Sequence, residues 1–349
     1  MPDLDRQNGT AVFLHGLWRS CSTYIWSRFR ASPKAYCYYE PLNVGLARLN
    51  HKRMASATPD RMEAAGHPAM AEPYFAEFTP LLKKWRGVKK YHASFAYHRF
   101  ILHPDAFHHS LSRYISVLTN NAVHQERIPV LGFNRTAFRI GWLKKHFNSW
   151  NCYIDRHPFD VWSSYEANRA KGNPYFFVSW LITLDHNSAH PVFAPLVEQL
   201  PIRSSLQKLF TKQRRFYCNA VDDLSAERTY FMVFYIWLAS CLHALTYSDH
   251  VFDVDCVRKD RYGADQAALI KAACGLDLCF DDARPVYYNR DTFGNNLRQT
   301  IEKKAIHLFP ISKFLPYFDA ARVRARLTEL SEEKAELLSH ALRLSSPPR

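Results

Sequence analysis

Residues 16–23, GLWRSCST, set one arginine and four small side chains, Ser20, Cys21, Ser22 and Thr23, in a single turn after the apolar run AVFLH at 11–15. The chemistry that such a turn performs is anion binding. Small residues let the backbone close around an oxyanion, hydroxyls donate hydrogen bonds and cap the helix that follows, and Arg19 adds a permanent charge. An N-capped helix with a solvated arginine carries the same pattern. The G-K-[ST] ending of a Walker A loop is absent, which argues against a magnesium-bound nucleoside triphosphate.

A second stretch, CYIDRHPFDVWSSYEANR at 152–169, repeats the arrangement. An apolar strand delivers Arg156 to its carboxyl end, Pro158 opens a helix, and Ser164 follows two turns later. By itself this is also a solvated arginine with an incidental serine. Beside the first turn it makes a second anion site on one sheet edge, the pattern expected for a nucleotide with phosphates at both ends.

The elements that would position these residues are short apolar runs at 11–15, 35–39, 129–133, 151–155 and 250–254, separated by helical stretches. That alternation predicts an α/β fold with a parallel sheet of about five strands covered on both faces. Two longer intervals, 44–128 and 173–226, read as helical or looped insertions over the functional edge of one domain spanning 1–349. A helix is expected near 319–343, followed by a frayed SSPPR end. The run YFMVFYIWLASCLHAL at 230–245 is the nearest approach to a membrane span, but it is short, charge-bounded and expected to be a buried helix.

At 349 residues, 47% hydrophobic and 15% aromatic, the chain can bury a large core, which excludes a disordered protein. Its formal charge of +14 favours an anionic ligand or surface, and peripheral membrane contact is compatible with it. The charge is dispersed into short clusters such as Lys83-Lys84 and Lys89-Lys90, without the basic tract of a nucleic-acid binder, so no nucleic-acid partner is expected. The opening MPDLDRQNGT lacks the basic-then-apolar order of a signal peptide, and eight cysteines occur without a close C-x-x-C pair. Both features lead to the expectation of a cytoplasmic protein with no zinc site. Five histidines of the first insertion, His92, His98, His103, His108 and His109, could supply a base or a metal site. The adjacent pair lacks i, i+4 spacing, most read as surface residues, and no metal is expected.

Taken together, these motifs resemble the sulfotransferases that use 3′-phosphoadenosine 5′-phosphosulfate (PAPS), in their carbohydrate-type and bacterial branch. RSCST resembles the family's 5′-phosphosulfate loop R-S-G-[ST]-[ST], and YIDRHPFDVWSSY its 3′-phosphate motif R-D-P-R-D-V-x-x-S. YYEPLN at 38–43 is similar to the E-P-L after the second strand, and VFDVDCVRKD with the following helix to the family's Y-E-D-L strand and its helix. Cys21 stands where the loop usually has glycine, His157 replaces the aspartate of R-D-P, and Phe159 replaces its second basic residue.

The resemblance implies a P-loop-like three-layer sandwich and transfer of a sulfuryl group from PAPS to an acceptor hydroxyl, on a carbohydrate or glycolipid, leaving 3′,5′-ADP. Arg19, Ser20, Cys21, Ser22 and Thr23 would hold the 5′-phosphosulfate, and Arg156 with Ser164 the 3′-phosphate. Glu40, at the end of the second strand, would be the base, with an ion pair to a nearby arginine as the other reading. YNRDTFGNNLRQT at 288–300 resembles the basic loop that closes over PAPS, so Arg290 or Arg298 is a further candidate ligand. The less charged sulfuryl group needs no metal in principle. A P-loop nucleotide kinase and a non-catalytic anion- or glycan-binding protein with a vestigial pocket are the alternatives.

Overall fold

The computed structural model describes residues 11–55, 68, 70–200, 202, 213–289, 293–310 and 317–344. Five strands, β1 (Ala11–Gly16), β2 (Ala35–Tyr39), β3 (Ile128–Phe133), β4 (Ser149–Asp155) and β5 (His250–Asp253), form one all-parallel sheet in the order β2-β3-β1-β4-β5. Each falls within two residues of a run expected from the sequence. The first strand is apolar throughout because both of its faces are covered. Val12 and Leu14 meet Ile25, Trp26 and Phe29 of helix α1 (Ser22–Arg30), whereas Phe13 meets Tyr114 and Leu118 of α2 (His109–His124) on the opposite face. The result is three layers with β1 central.

The order places β1 between β3 and β4, and the chain crosses it through α3 (Ile140–His146) to reach β4. The carboxyl ends of β1, β2, β3 and β4 therefore share one crevice at the point where the strand order reverses, the place where open α/β sheets bind ligands. Past β4 lie α4 (Pro158–Ala170), α5 (Tyr175–His186) and α6 (Ala226–Tyr247); α7 (Tyr262–Cys274), α8 (Asn295–Leu308) and α9 (Glu332–Leu344) follow β5.

The buried helix expected at 230–245 is present but longer than its apolar run, and the helix expected at 319–343 is broken. The apolar run at 230–245 belongs to a 22-residue helix, α6, that is long and apolar enough to cross a membrane, with a mean hydropathy of 1.4, but its apolar window is wholly buried in the protein. Its extra length comes from Ser225, whose hydroxyl accepts from the Arg228 amide at 3.3 Å and caps the first turn. The expected single helix at 319–343 is broken into Ala320–Ala325 and α9, because the Ser331 amide is drawn to the Asp253 carboxylate at 2.6 Å.

That break lets α9 pin the functional edge. Lys334, fully buried, reaches Asp155 and Asp253 at 2.6 Å and Asp255 at 2.7 Å. Burial alone would lower the Lys334 pKa, but the Asp155, Asp253 and Asp255 carboxylates raise it well above its ordinary value. Asp255 also accepts from the His157 amide at 2.8 Å. The ends of β4 and β5 and the turn carrying Arg156 are thus tied to one ammonium group.

Candidate functional site

The turn from β1 to α1 is tight for a definable reason. A side chain at Gly16 would place its Cβ 2.6 Å from the Ser20 hydroxyl and 3.2 Å from the Ile154 carbonyl, so only glycine lets the chain double back against β4. Arg19 and Cys21 then adopt left-handed backbone, at φ 64° and 63°, and Glu40 at the end of β2 does so at 41°. Each costs on the order of 1–2 kcal/mol relative to a right-handed residue. These three strained residues line one cavity of about 610 Å³ at the sheet's carboxyl edge. Strain gathered at one edge is a mark of a functional site.

Most of the residues singled out in the sequence come together here. Arg19, Cys21, Ser22, Thr23, Glu40, Arg156 and Ser164 all line the cavity. The two motifs are joined directly: Arg19 Nε donates to Ser164 Oγ at 2.8 Å, and Arg156 Nη1 donates to the Arg19 carbonyl at 2.9 Å. Arg156 also donates through Nη2 to the Val286 carbonyl. Its Nε, buried in the wall, has no hydrogen-bond partner and is a donor left over for an anion. The first-turn amides of α1 add donors and the positive end of the helix dipole.

Glu40 is held on three sides. Its Oε1 accepts from Asn134 Nδ2 at 2.6 Å, its Oε2 from Asn43 Nδ2 at 2.5 Å, and Arg135 Nη1 lies 3.5 Å from Oε2. Asn134 in turn accepts from Ser22 Oγ at 2.9 Å, so one amide couples the anion turn to the carboxylate. Burial alone would lower the Arg135 pKa, but Tyr175, Glu40 and Tyr97 raise it, and the guanidinium stays charged under the Trp18 ring at 4.7 Å. The Asn134-Arg135-Thr136 segment is anchored from behind, where the Thr136 hydroxyl meets His15 Nδ1 at 2.6 Å. Burial holds that imidazole's pKa down at about 4.

Cys21 is the residue before α1 and makes no side-chain cap bond. Its left-handed backbone is the reason glycine suits this position in the resembled loop. Burial raises its thiol pKa, opposed by Arg156 and Arg19, which keeps it protonated and unreactive. Thr23 lies 3.2 Å from the Tyr39 hydroxyl. His157, which departs from the resembled R-D-P, caps α4 by accepting from the Phe159 amide at 3.2 Å, work usually done by an aspartate.

Two expected residues are placed elsewhere, and a third is not described. Ser20 spends its hydroxyl on the Leu17 carbonyl at 2.8 Å and is buried inside the turn rather than in the cavity wall. Arg298 does not reach the cavity; it pairs with Glu333 at 3.0 Å and approaches Glu302 at 3.9 Å. Arg290 lies outside the described residues. The wall on that side is built slightly upstream, by Arg284, Val286 and Tyr288. None of His92, His98, His103, His108 and His109 lines the cavity. His98 packs on His186 with ring centroids 4.1 Å apart, and burial with the charges of Arg99 and Arg139 brings the His108 pKa down to about 4. Among the described residues no cluster of three His, Cys, Asp or Glu side chains could hold a metal ion.

The sequence reading passed over Asn43, Asn134, Arg135 and Tyr175. The signal was available for two of them: NR follows the apolar run at 129–133, at the same strand end that drew attention to Arg156. Compared with known protein families, curated proteins and solved structures, the chain matches none.

Proposed function

We propose that this protein is a PAPS-dependent sulfotransferase with a P-loop-like sandwich, transferring a sulfuryl group to a hydroxyl of a carbohydrate or glycolipid. The observation that carries the reading is the hydrogen bond from Arg19 to Ser164, at 2.8 Å, within the cavity that also holds Glu40. It joins two motifs that lie 145 positions apart and that were each picked out for anion chemistry. The cavity volume suits a nucleotide with part of an acceptor.

The residues present fit such a co-substrate. Arg156 Nε is a buried donor without a partner, and the N-terminus of α1 offers backbone amides beside it. PAPS supplies the activated sulfuryl group and, in 3′,5′-ADP, the leaving group. Ser22, Thr23, Arg19 and the α1 amides hold the 5′ end and stabilise the charge that develops on the leaving oxygen. Arg156 and Ser164 hold the 3′-phosphate. Cys21 is a wall residue there, with no chemical step of its own.

Glu40 takes the proton of the acceptor hydroxyl at a carboxylate oxygen. Each of its oxygens keeps a second lone pair beyond the asparagine bonds, and those bonds fix its direction. Arg135 balances the carboxylate from behind. Trp18, Tyr39, Phe75, Tyr175 and Phe176 give the cavity an aromatic wall of the kind that stacks against sugar rings.

Calorimetric titration with 3′,5′-ADP, 5′-AMP and ATP with magnesium tests the nucleotide. The expected order is 3′,5′-ADP far above 5′-AMP, with ATP weak. Tighter ATP binding would move the protein to the nucleotide kinases. Mass spectrometry of products from PAPS with a panel of glycans, glycolipids and phenols then identifies the acceptor. Binding of 3′,5′-ADP without product from any acceptor would favour a non-catalytic binding protein.

A further inference from the structure

A second feature lies outside the cavity. Leu82 and Val88 form an antiparallel bridge that closes a short hairpin, with the Lys83 amide donating to the Gly87 carbonyl at 2.8 Å and the Lys89 amide to the Leu81 carbonyl at 2.8 Å. Gly87, at φ 82°, makes the reversal. The base of the hairpin is fixed to the body: the Gly87 amide donates to the Leu49 carbonyl at 2.7 Å, the Val88 amide to the Leu46 carbonyl at 3.1 Å, and Leu46, Leu49, Leu81 and Val88 are core residues.

Every fully exposed side chain of the hairpin is basic or aromatic. Lys83, Lys84, Trp85 and Arg86 are exposed at its tip, and Lys89 and Lys90 just past it. Trp85 is 83% exposed, the most exposed large hydrophobic residue among those described. The Lys84 ammonium lies 5.7 Å from its ring centroid. On the neighbouring segment Arg48, Lys52 and Arg53 are exposed as well, and the described stretches 41–55 and 78–104 contain no Asp or Glu. The hairpin therefore presents one exposed tryptophan among exposed lysine and arginine side chains.

We propose that this hairpin docks the protein on an anionic lipid bilayer, with Trp85 entering the headgroup layer and Lys83, Lys84, Arg86, Lys89 and Lys90 facing the lipid phosphates and carboxylates. Tryptophan is suited to that boundary because its ring is apolar while its N–H remains hydrated. Basic residues beside it add attraction that scales with the anionic lipid content and falls with salt. The hairpin sits beside the cavity, since its anchor, the short 3₁₀ helix Val44–Arg48, is capped by Asn43, which also bonds Glu40. Docking on lipid would suit a glycolipid acceptor; that last step rests on the proposed transfer reaction, and the docking does not.

Sedimentation of the full chain with vesicles tests the docking without reference to activity. Binding is expected to vesicles of phosphatidylcholine with phosphatidylserine, and not to phosphatidylcholine alone, and it should weaken as salt rises. Replacing Lys83→Gln and Lys84→Gln together should lower partitioning about 30-fold. Trp85→Ala should lower it at every salt concentration while keeping the salt slope, and brominated lipid should quench Trp85 in the wild type and lose that component in Trp85→Phe. All three positions are exposed, so the variants fold and keep the same thermal midpoint. Equal binding to both vesicle types, or variants that bind as wild type, would overturn the proposal. So would binding to heparin or single-stranded RNA with none to vesicles.

Discussion

Glu40→Gln separates a base from a structural carboxylate, and the geometry fixes how the amide would sit. Asn43 cannot turn, because its Oδ1 already accepts from the Gly45 amide at 2.8 Å, so the oxygen of the new side-chain amide must face Asn43 Nδ2. The new NH₂ then faces Asn134. That asparagine can reverse, presenting its oxygen to the introduced NH₂ and its own NH₂ to Ser22 Oγ, which can accept as well as donate. Both asparagine bonds survive, and the net loss is the 3.5 Å contact with Arg135, whose guanidinium keeps the Tyr175 hydroxyl at 3.1 Å and the Trp18 ring. Removing the carboxylate leaves the buried Arg135 charge uncompensated, at a cost of about 3–5 kcal/mol and a fall of several degrees in thermal midpoint for a chain of this size. Affinity for 3′,5′-ADP should be unchanged, while turnover should fall by roughly 10²–10⁴ because the proton acceptor is gone. Scanning calorimetry, nucleotide titration and PAPS turnover on one preparation read all three quantities. A folded, nucleotide-binding Glu40→Gln protein with near wild-type turnover would refute Glu40 as the base; a rate loss matched by lost affinity would leave it only an ion-pair partner.

Arg156→Ala should remove most of the preference for 3′,5′-ADP over 5′-AMP, a cost on the order of 1.5–3 kcal/mol read by titration; an unchanged preference would mean the 3′-phosphate is read elsewhere. Cys21→Gly should equal or exceed the wild type in thermal midpoint, since it relieves left-handed strain at φ 63° of on the order of 1–2 kcal/mol against a somewhat smaller entropy cost, whereas Cys21→Val should lose stability. Burial also sets a pH dependence: it lowers the His15 and His190 pKa values to about 4 and that of His243 to about 3, from 6.5. The unfolded chain therefore binds more protons between those values, so stability is complete above pH 6.5 and is lost as pH falls toward 4, on the order of 3 kcal/mol for His15 alone. Urea unfolding at pH 7 and pH 5 measures this, and His15→Gln should flatten the difference; a slope unaltered by that change would mean His15 is not held neutral.

The sequence by itself determined the sheet and picked out seven of the residues that line the cavity. Buried parallel strands must be apolar on both faces, so the five runs were visible as runs, and small hydroxyl residues beside Arg19 announced a turn whatever its surroundings. Arg156 and Ser164 were legible for the same local reason. Tertiary structure decided which candidates meet. Ser20 has the right chemistry but turns inward to Leu17, and Arg298, in a basic loop by sequence, is consumed by Glu333, because the partners that claim them are fixed only by packing. Asn134 and Arg135 follow an apolar run as Arg156 does, but an asparagine after a strand also looks like any loop start, so the position alone does not say what it bonds. Their role arises when β3 lies beside β1 and puts Asn134 between Ser22 and Glu40, 112 and 94 positions away in the chain. Lys334 is the extreme case: its position in a charged C-terminal helix reads as a solvated face, and only the docking of α9 against the ends of β4 and β5 buries it among three carboxylates. Spacing along the chain encodes what a residue can do locally, whereas long-range contacts encode whether it is free to do it.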